Sequence, residues 1–212
     1  MDLITNPLEI EQKSLQIIAA KLAGRSIDPQ NEAVLKRVIH TTADFDYVDN
    51  LFFSNNAVAV AQAALRNGAT IVTDTQMAKA GINKKAAAQL GCEVHCFIDA
   101  AEVIAAARAN GSTRARAAVD WALASLAGPI IFIVGNAPTA LIRLHELISS
   151  QAYAPDFIIA VPVGFVNVVE SKELILGLNT PCIVAQGRKG GSNVAAAICN
   201  ALLYQTTERP QI

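Results

Sequence analysis

The sequence predicts an α/β fold: a doubly wound, five-stranded parallel sheet in three layers, with extra helices at the N-terminus. Two observations predict it. Five short runs rich in β-branched residues are almost continuously apolar, as strands buried on both faces are. Between these runs lie segments of helical periodicity, and strand alternating with helix implies parallel strands joined by right-handed crossovers.

In chain order, the predicted strands are Ala69–Thr73, Glu93–Ile98, Pro129–Val134, Phe157–Val161 and Pro181–Ala185. The helical patterns between them cover Gln76–Leu90, Ala100–Ala109 with Thr113–Ala127, Pro138–Ser150 and Val168–Leu178, and a last helix covers about Ser192–Tyr204. Such units suit a flavodoxin-like, three-layer arrangement, with the strand order left open. Three helical segments precede the first strand. Asn6-Pro7 is a cap followed by proline at the first helical position, opening a helix to about Ala23 with Leu15, Ile18 and Leu22 on one stripe. Asp28-Pro29 repeats the signal and opens a helix to about Thr41. A third helix runs from about Asn55 to Arg66 and stops at Asn67-Gly68. These segments are expected to lie outside the sheet crossovers, wrapping one edge or touching a second subunit.

Composition narrows the class. Of 212 residues, 52% are apolar, which suits one well-packed domain over residues 1–212. A formal net charge of −1 without charge blocks argues against nucleic acid, where a basic face is needed. The N-terminus lacks the pattern of a signal peptide, and no apolar run approaches the roughly 20 residues of a membrane span. Cys92, Cys96, Cys182 and Cys199 lie in apolar surroundings without CxxC spacing, reading as reduced core cysteines of a cytoplasmic protein. Cys92, His95 and Cys96 could be imagined as metal ligands, but they fall in or beside an apolar strand, so no metal is expected.

In parallel sheets the ligand sits beyond the carboxyl ends of the strands. Here those ends carry Asp74-Thr75, Asp99, Gly135-Asn136-Ala137-Pro138-Thr139, Pro162-Val163-Gly164-Phe165 and Gly187-Arg188-Lys189-Gly190-Gly191-Ser192-Asn193. The last opens a helix, and its glycines and two cations suit an anion. It matches neither GxxxxGK[ST] nor GxGxxG, so a carboxylate or carbonyl is as well accommodated as a phosphate. A second signal is Arg37 with His40, spaced i, i+3 on one helical face and followed by Asp44 and Asp46, which could orient an imidazole. A histidine beside an anion-binding arginine suits proton transfer on an anionic substrate. By spacing alone a solvated helix face carrying a chance His–Arg pair is the favoured reading. His95 is expected as a hydrogen-bonded core residue and His145 on an exposed helix face. No Gly-x-Ser-x-Gly elbow and no triad pattern is present.

Together these segments resemble the precorrin-8X methylmutase family, also called cobalt-precorrin-8 methylmutase, along nearly the whole chain. The matching residues are Arg37-Val38-Ile39-His40, Thr73 to Ile82, Gly135 to Leu141, Pro162 to Val166 with Glu170-Ser171-Lys172, and Gly187-Arg188 with Gly190-Gly191-Ser192. The resemblance implies an isomerase of cobalamin biosynthesis that moves a methyl group from ring carbon 11 to ring carbon 12 of a tetrapyrrole. It places the family's proton-handling histidine on His40, its substrate-contacting serine on Ser14 and an arginine on Arg37. The family's arginine after an Asn-Thr turn falls on Arg114, preceded here by Gly111-Ser112-Thr113. Asn136, Arg188 and Ser192, at matched turns, are expected to bind substrate. The resemblance further implies a homodimer with sites near the interface and no cofactor. A non-catalytic tetrapyrrole carrier and a phosphate- or nucleotide-dependent enzyme using Gly187–Asn193 are the alternatives.

Overall fold

The computed structural model of the chain describes residues 3–207. Six strands form one sheet: β1 (Leu51–Phe53), β2 (Thr70–Thr73), β3 (Val94–His95), β4 (Ile130–Val134), β5 (Phe157–Ala160) and β6 (Cys182–Ala185). Their spatial order is β1-β6-β5-β4-β2-β3. Five strands are parallel, and β1 pairs antiparallel with β6 through Leu51–Ala185, Phe52–Val184 and Phe53–Ile183. Numbered among themselves, the five parallel strands stand in the order 2-1-3-4-5, which is the flavodoxin-like arrangement. The direction of winding reverses between β2 and β4, so the carboxyl ends of those strands form the switch point.

Residues alternate between the two buried faces. Ile71, Ile131, Ile133, Ile159 and Ile183 face α2 (Glu32–Thr42), α4 (Ala57–Arg66) and α11 (Ser192–Thr206). Val72, Phe132, Val134, Ile158 and Val184 face α8 (Arg114–Ser125), α9 (Pro138–Ser149) and α10 (Val168–Leu176). Helix α7 (Ala101–Ala109) packs on α8 around Val103, Ala107, Ala117 and Ala118. Small alanines in these helices let them approach the sheet closely.

Several expectations are corrected. The sheet has six strands, because Leu51–Phe53 adds an antiparallel edge; Cys182 N donates to Ser54 Oγ at 2.8 Å and continues that pairing. Three residues are too few to show a period of two. Helix α4 therefore joins β1 to β2 across one face and is a crossover after all. The span Gln76–Leu90 is two helices, α5 (Gln76–Gly81) and α6 (Lys84–Gln89). Asn83 breaks it, accepting Ala86 N at 3.1 Å as a cap while its own N–H donates to Asn200 Oδ1 at 2.8 Å. Helix α2 begins at Glu32, because Asp28 first closes a turn by accepting Gln30 N at 2.9 Å. Strand β3 is short, and His95 is no core residue: it is half-buried, pairs with Glu93 Oε2 at 2.8 Å and stacks on Phe97.

The N-terminal helices stack on a face of the sheet instead of wrapping an edge. Helix α1 (Pro7–Leu22) is capped by Asn6 Oδ1, which accepts Leu8 N at 2.9 Å and Glu9 N at 3.3 Å. It lies on α2, and α2 lies on α11.

On the opposite face Arg116 grips Glu146 with both Nη atoms, at 2.7 and 2.5 Å, and Arg143 adds a third bond at 2.9 Å. This network ties α8 to α9. The Arg116 guanidinium is the main cause that holds the Glu146 carboxyl at about 2, below its ordinary 4.5. A depressed acid contributes stability above its unfolded value and loses it as pH falls through its folded one. Acid melting curves of wild type and Glu146→Gln should therefore differ above pH ~4.5 and converge toward pH ~2. Curves that stay parallel to pH ~2 would contradict this.

Candidate active site

His40 stands on α2 beside α1, and two rungs join the helices. Ser14 Oγ meets His40 Nδ1 at 2.8 Å, and Arg37 Nη1 donates to Glu11 Oε1 at 2.7 Å. Glu11 and Ser14 are three residues apart on α1, as Arg37 and His40 are on α2, so one face of each helix carries both rungs. Arg37 also lies over the Tyr204 ring, 5.5 Å from its centroid. Ser14 and His40 line a groove of about 440 Å³ whose wall is mostly apolar (Ile4, Ile10, Ile17, Ile39, Phe45) with Lys13 and Lys21 at its border. Nδ1 is taken by Ser14, which leaves Nε2 as the nitrogen open to a ligand.

The switch point is organised by Asp74, directly after β2. Its carboxylate accepts Gly135 N at 2.9 Å, Asn136 N at 2.8 Å and Ala137 N at 2.7 Å. Burial raises the Asp74 pKa, and these three amides oppose that rise. The Asp74 carboxylate thus holds the turn that leads from β4 into α9. Next to it Thr75 Oγ1 meets Ser192 Oγ at 2.8 Å, closing β2 onto the start of α11. Gly135 has no room for a side chain, since a Cβ there would lie 2.8 Å from Ser192 Cα.

In the glycine-rich loop at 187–191, packing excludes a side chain at Gly190, whereas Gly187 has open space and a positive φ of 71°. A Cβ at Gly190 would stand 2.1 Å from Val161 O and 2.8 Å from Pro162 O, and Gly191 N donates to Val161 O at 2.8 Å. The loop is also held from below by Lys172. That side chain is 1% exposed, and its ammonium donates to Gly187 O and Lys189 O at 2.8 Å each. Burial pulls its pKa down to about 8, while the two carbonyls favour the charged form. Lys189 Nζ turns outward to Asp44 Oδ2 and Asp46 Oδ2, both at 2.6 Å. Asp44 and Asp46 therefore hold the loop lysine and do not orient His40, as their position had suggested. That ion pair is the main cause that lowers the Asp44 pKa.

The structure brings Ser14, Arg37 and His40 together, with Arg37 engaged by Glu11. Ser192 and Asn136 meet at the switch point, where Asn136 gives its backbone N–H to Asp74 and leaves its side chain exposed. Arg188 is exposed on the loop that Lys172 anchors, and its carbonyl accepts Gly164 N at 3.2 Å. Arg114 is exposed at the start of α8, 3.4 Å from Asp99 Oδ1. Among the described residues no three His, Cys, Asp or Glu side chains converge as a metal set. Sequence reasoning left Asp74 and Lys172 without a role. Lys172 did carry a signal: it falls on the stripe of Val168 and Ile175, where a charge is out of place unless it is used.

An α/β fold of flavodoxin-like order thus carries a histidine held by Ser14 beside a mostly apolar groove that Lys13 and Lys21 also line. The precorrin-8X methylmutase family matches residues 9–205. A cobalt-precorrin-8 methylmutase of Salmonella typhimurium is 46% identical over 98% of this chain and 100% of its own length. A precorrin-8X methylmutase of Pseudomonas aeruginosa is 38% identical over 99% of each. The crystal structure of precorrin-8X methylmutase from Thermus thermophilus superposes with a TM-score of 0.85 at 37% identity, covering 93% of this chain and 96% of that one. The chain belongs to the precorrin-8X methylmutase family and is an isomerase of cobalamin biosynthesis. No helix among the described residues is long and apolar enough to cross a membrane.

Two substitutions test this architecture. Asp74→Ala leaves three amides without an acceptor and should cost on the order of 3 kcal/mol, with Asp74→Asn intermediate, in denaturant unfolding. Gly190→Ala forces its methyl into the end of β5 and should cost about 2–3 kcal/mol. A Gly190→Ala protein as stable as wild type would show that the loop has slack the packing denies.

Proposed function

We propose that the chain moves a methyl group from ring carbon 11 to ring carbon 12 of precorrin-8X or cobalt-precorrin-8, giving hydrogenobyrinate or cobyrinate, with His40 handling the proton. The observation that carries this reading is the Ser14–His40 hydrogen bond at 2.8 Å on the wall of the groove. A serine hydroxyl both donates and accepts. It accepts from Nδ1–H of the imidazolium and keeps that bond after Nε2 has delivered its proton to the macrocycle. The protonated ring is a better electron sink, so the bond from methyl to carbon 11 breaks as the bond to carbon 12 forms at lower cost. Return of the proton to Nε2 closes the cycle with no atom gained or lost, as an isomerase requires.

The substrate is a broad apolar ring fringed by carboxylates. An apolar groove bordered by Lys13 and Lys21 suits it, and Arg188 and Arg114 are exposed cations on the same edge of the fold, able to take the fringe. Arg37 reaches a carboxylate only if Glu11 releases it, and otherwise sets the register of α1 on α2. Asn136 and Ser192 would contribute the polar floor at the switch point. The exposed apolar side chains Ile4, Ile10 and Ile17 along the same groove, with Leu3 and Leu8 exposed on the same segment, support a homodimer with the site near its interface. Four free cysteines suit a reducing cytoplasm.

His40→Ala should lower turnover of the substrate at least a hundredfold while leaving corrinoid binding, followed in the visible spectrum, within a few-fold. Ser14→Ala should lower kcat about tenfold by freeing the imidazole ring. Turnover at the wild-type rate in His40→Ala would overturn the role given to His40. Tight binding without any conversion by the wild type would make the chain a carrier instead.

A further inference from the structure

The segment just beyond His40 and the loop carrying Arg188 are joined by one side chain. Asp44 and Asp46 follow the end of α2, four and six residues after His40, and both grip Lys189 Nζ at 2.6 Å. The loop end of this link is fixed in turn: the buried ammonium of Lys172 holds the carbonyls on either side of Arg188, those of Gly187 and Lys189. Gly190, seated against Val161 and Pro162, prevents the loop from sliding along the sheet.

We infer that Lys189, clasped by Asp44 and Asp46 and seated on Lys172, is a positioning residue that sets the separation between His40 and Arg188. The inference rests on the reading that both residues face the substrate. An exposed ion pair adds little to stability, so this clasp is explained by geometry. A ligand held by its carboxylates at Arg188 meets the imidazole at one distance only if the two supports are fixed to each other. In a rearrangement run by one proton transfer, a displacement of about 1 Å costs rate rather than affinity.

The test uses the full chain with precorrin-8X and cobalt-precorrin-8. Lys189→Met should lower kcat about tenfold with KM changed less than threefold, and its melting temperature should stay within about 2 °C of wild type. Lys189→Arg, which can still span both carboxylates, should recover most of kcat. The double variant Asp44→Asn with Asp46→Asn should match Lys189→Met, and combining all three should add nothing. Amide hydrogen exchange across residues 41–47 and 187–191 is the readout independent of turnover, and it should rise in Lys189→Met. Unchanged kcat in Lys189→Met, additive losses, or unchanged exchange would each overturn the clasp. Absence of turnover by the wild type would overturn the proposed reaction, and exchange alone would then decide on the clasp.

Discussion

The carboxylate of Asp74 is the interaction on which the carboxyl edge of the sheet depends. It leaves β2 at the switch point and gathers three consecutive amides at the start of α9. Three donors on one buried carboxylate offset its desolvation, and they fix the β4–α9 turn against β2. Gly135, inside that turn, then sits close enough to Ser192 to exclude any side chain, and Thr75 closes the contact from the other strand. The start of α11 and the loop before it are therefore located by a residue two strands away.

To one side of the switch point, on the helix layer formed by α1, α2 and α11, lies the groove that His40 lines. This explains the two rungs. A histidine on a surface helix has free rotamers, and Ser14 removes that freedom by holding Nδ1. Arg37 with Glu11, one helical turn earlier, keeps α1 from rolling on α2 and so keeps Ser14 within reach. The N-terminal helix thus holds His40 in place, although it contributes nothing to the sheet. Its exposed apolar residues border the same groove.

Much of this was legible in the sequence. The five apolar runs contain the five parallel strands, and for β2, β4, β5 and β6 burial on both faces leaves the signal, whereas β3 shrinks to two half-buried residues. The i, i+3 spacing of Arg37 and His40 was legible, but their partners were not. Glu11 and Ser14 lie 26 residues away in sequence, and nothing local links them. Leu51–Phe53 escaped as a strand because three residues at an edge carry no period and pair with β6 over a long separation. The Asn83 cap on Ala86 is local and was a legible helix break that was passed over; only its tie to Asn200 is remote. The loop at 187–191 misled differently. Glycines that suit a phosphate and glycines that suit a close backbone crossing look alike until Val161 and Pro162 are in place.

A methyl shift within one molecule asks little of a protein chemically and much of it geometrically. In the proposed reaction one proton moves out and back, and no leaving group needs trapping. The catalytic inventory can be small, and here a single oriented imidazole stands out. What the fold spends its polar groups on instead is relative position: Asp74 on the switch point, Lys172 under the loop, Lys189 between the loop and the end of α2, and Glu11 with Arg37 between the first helices. Each of these groups is charged, and each is satisfied within the protein. A charge buried like Lys172 is tolerated only with partners, so the side chain that holds the loop is also one that cannot leave it cheaply. Rigidity around His40 follows from where these charges were placed, without any added chemical group.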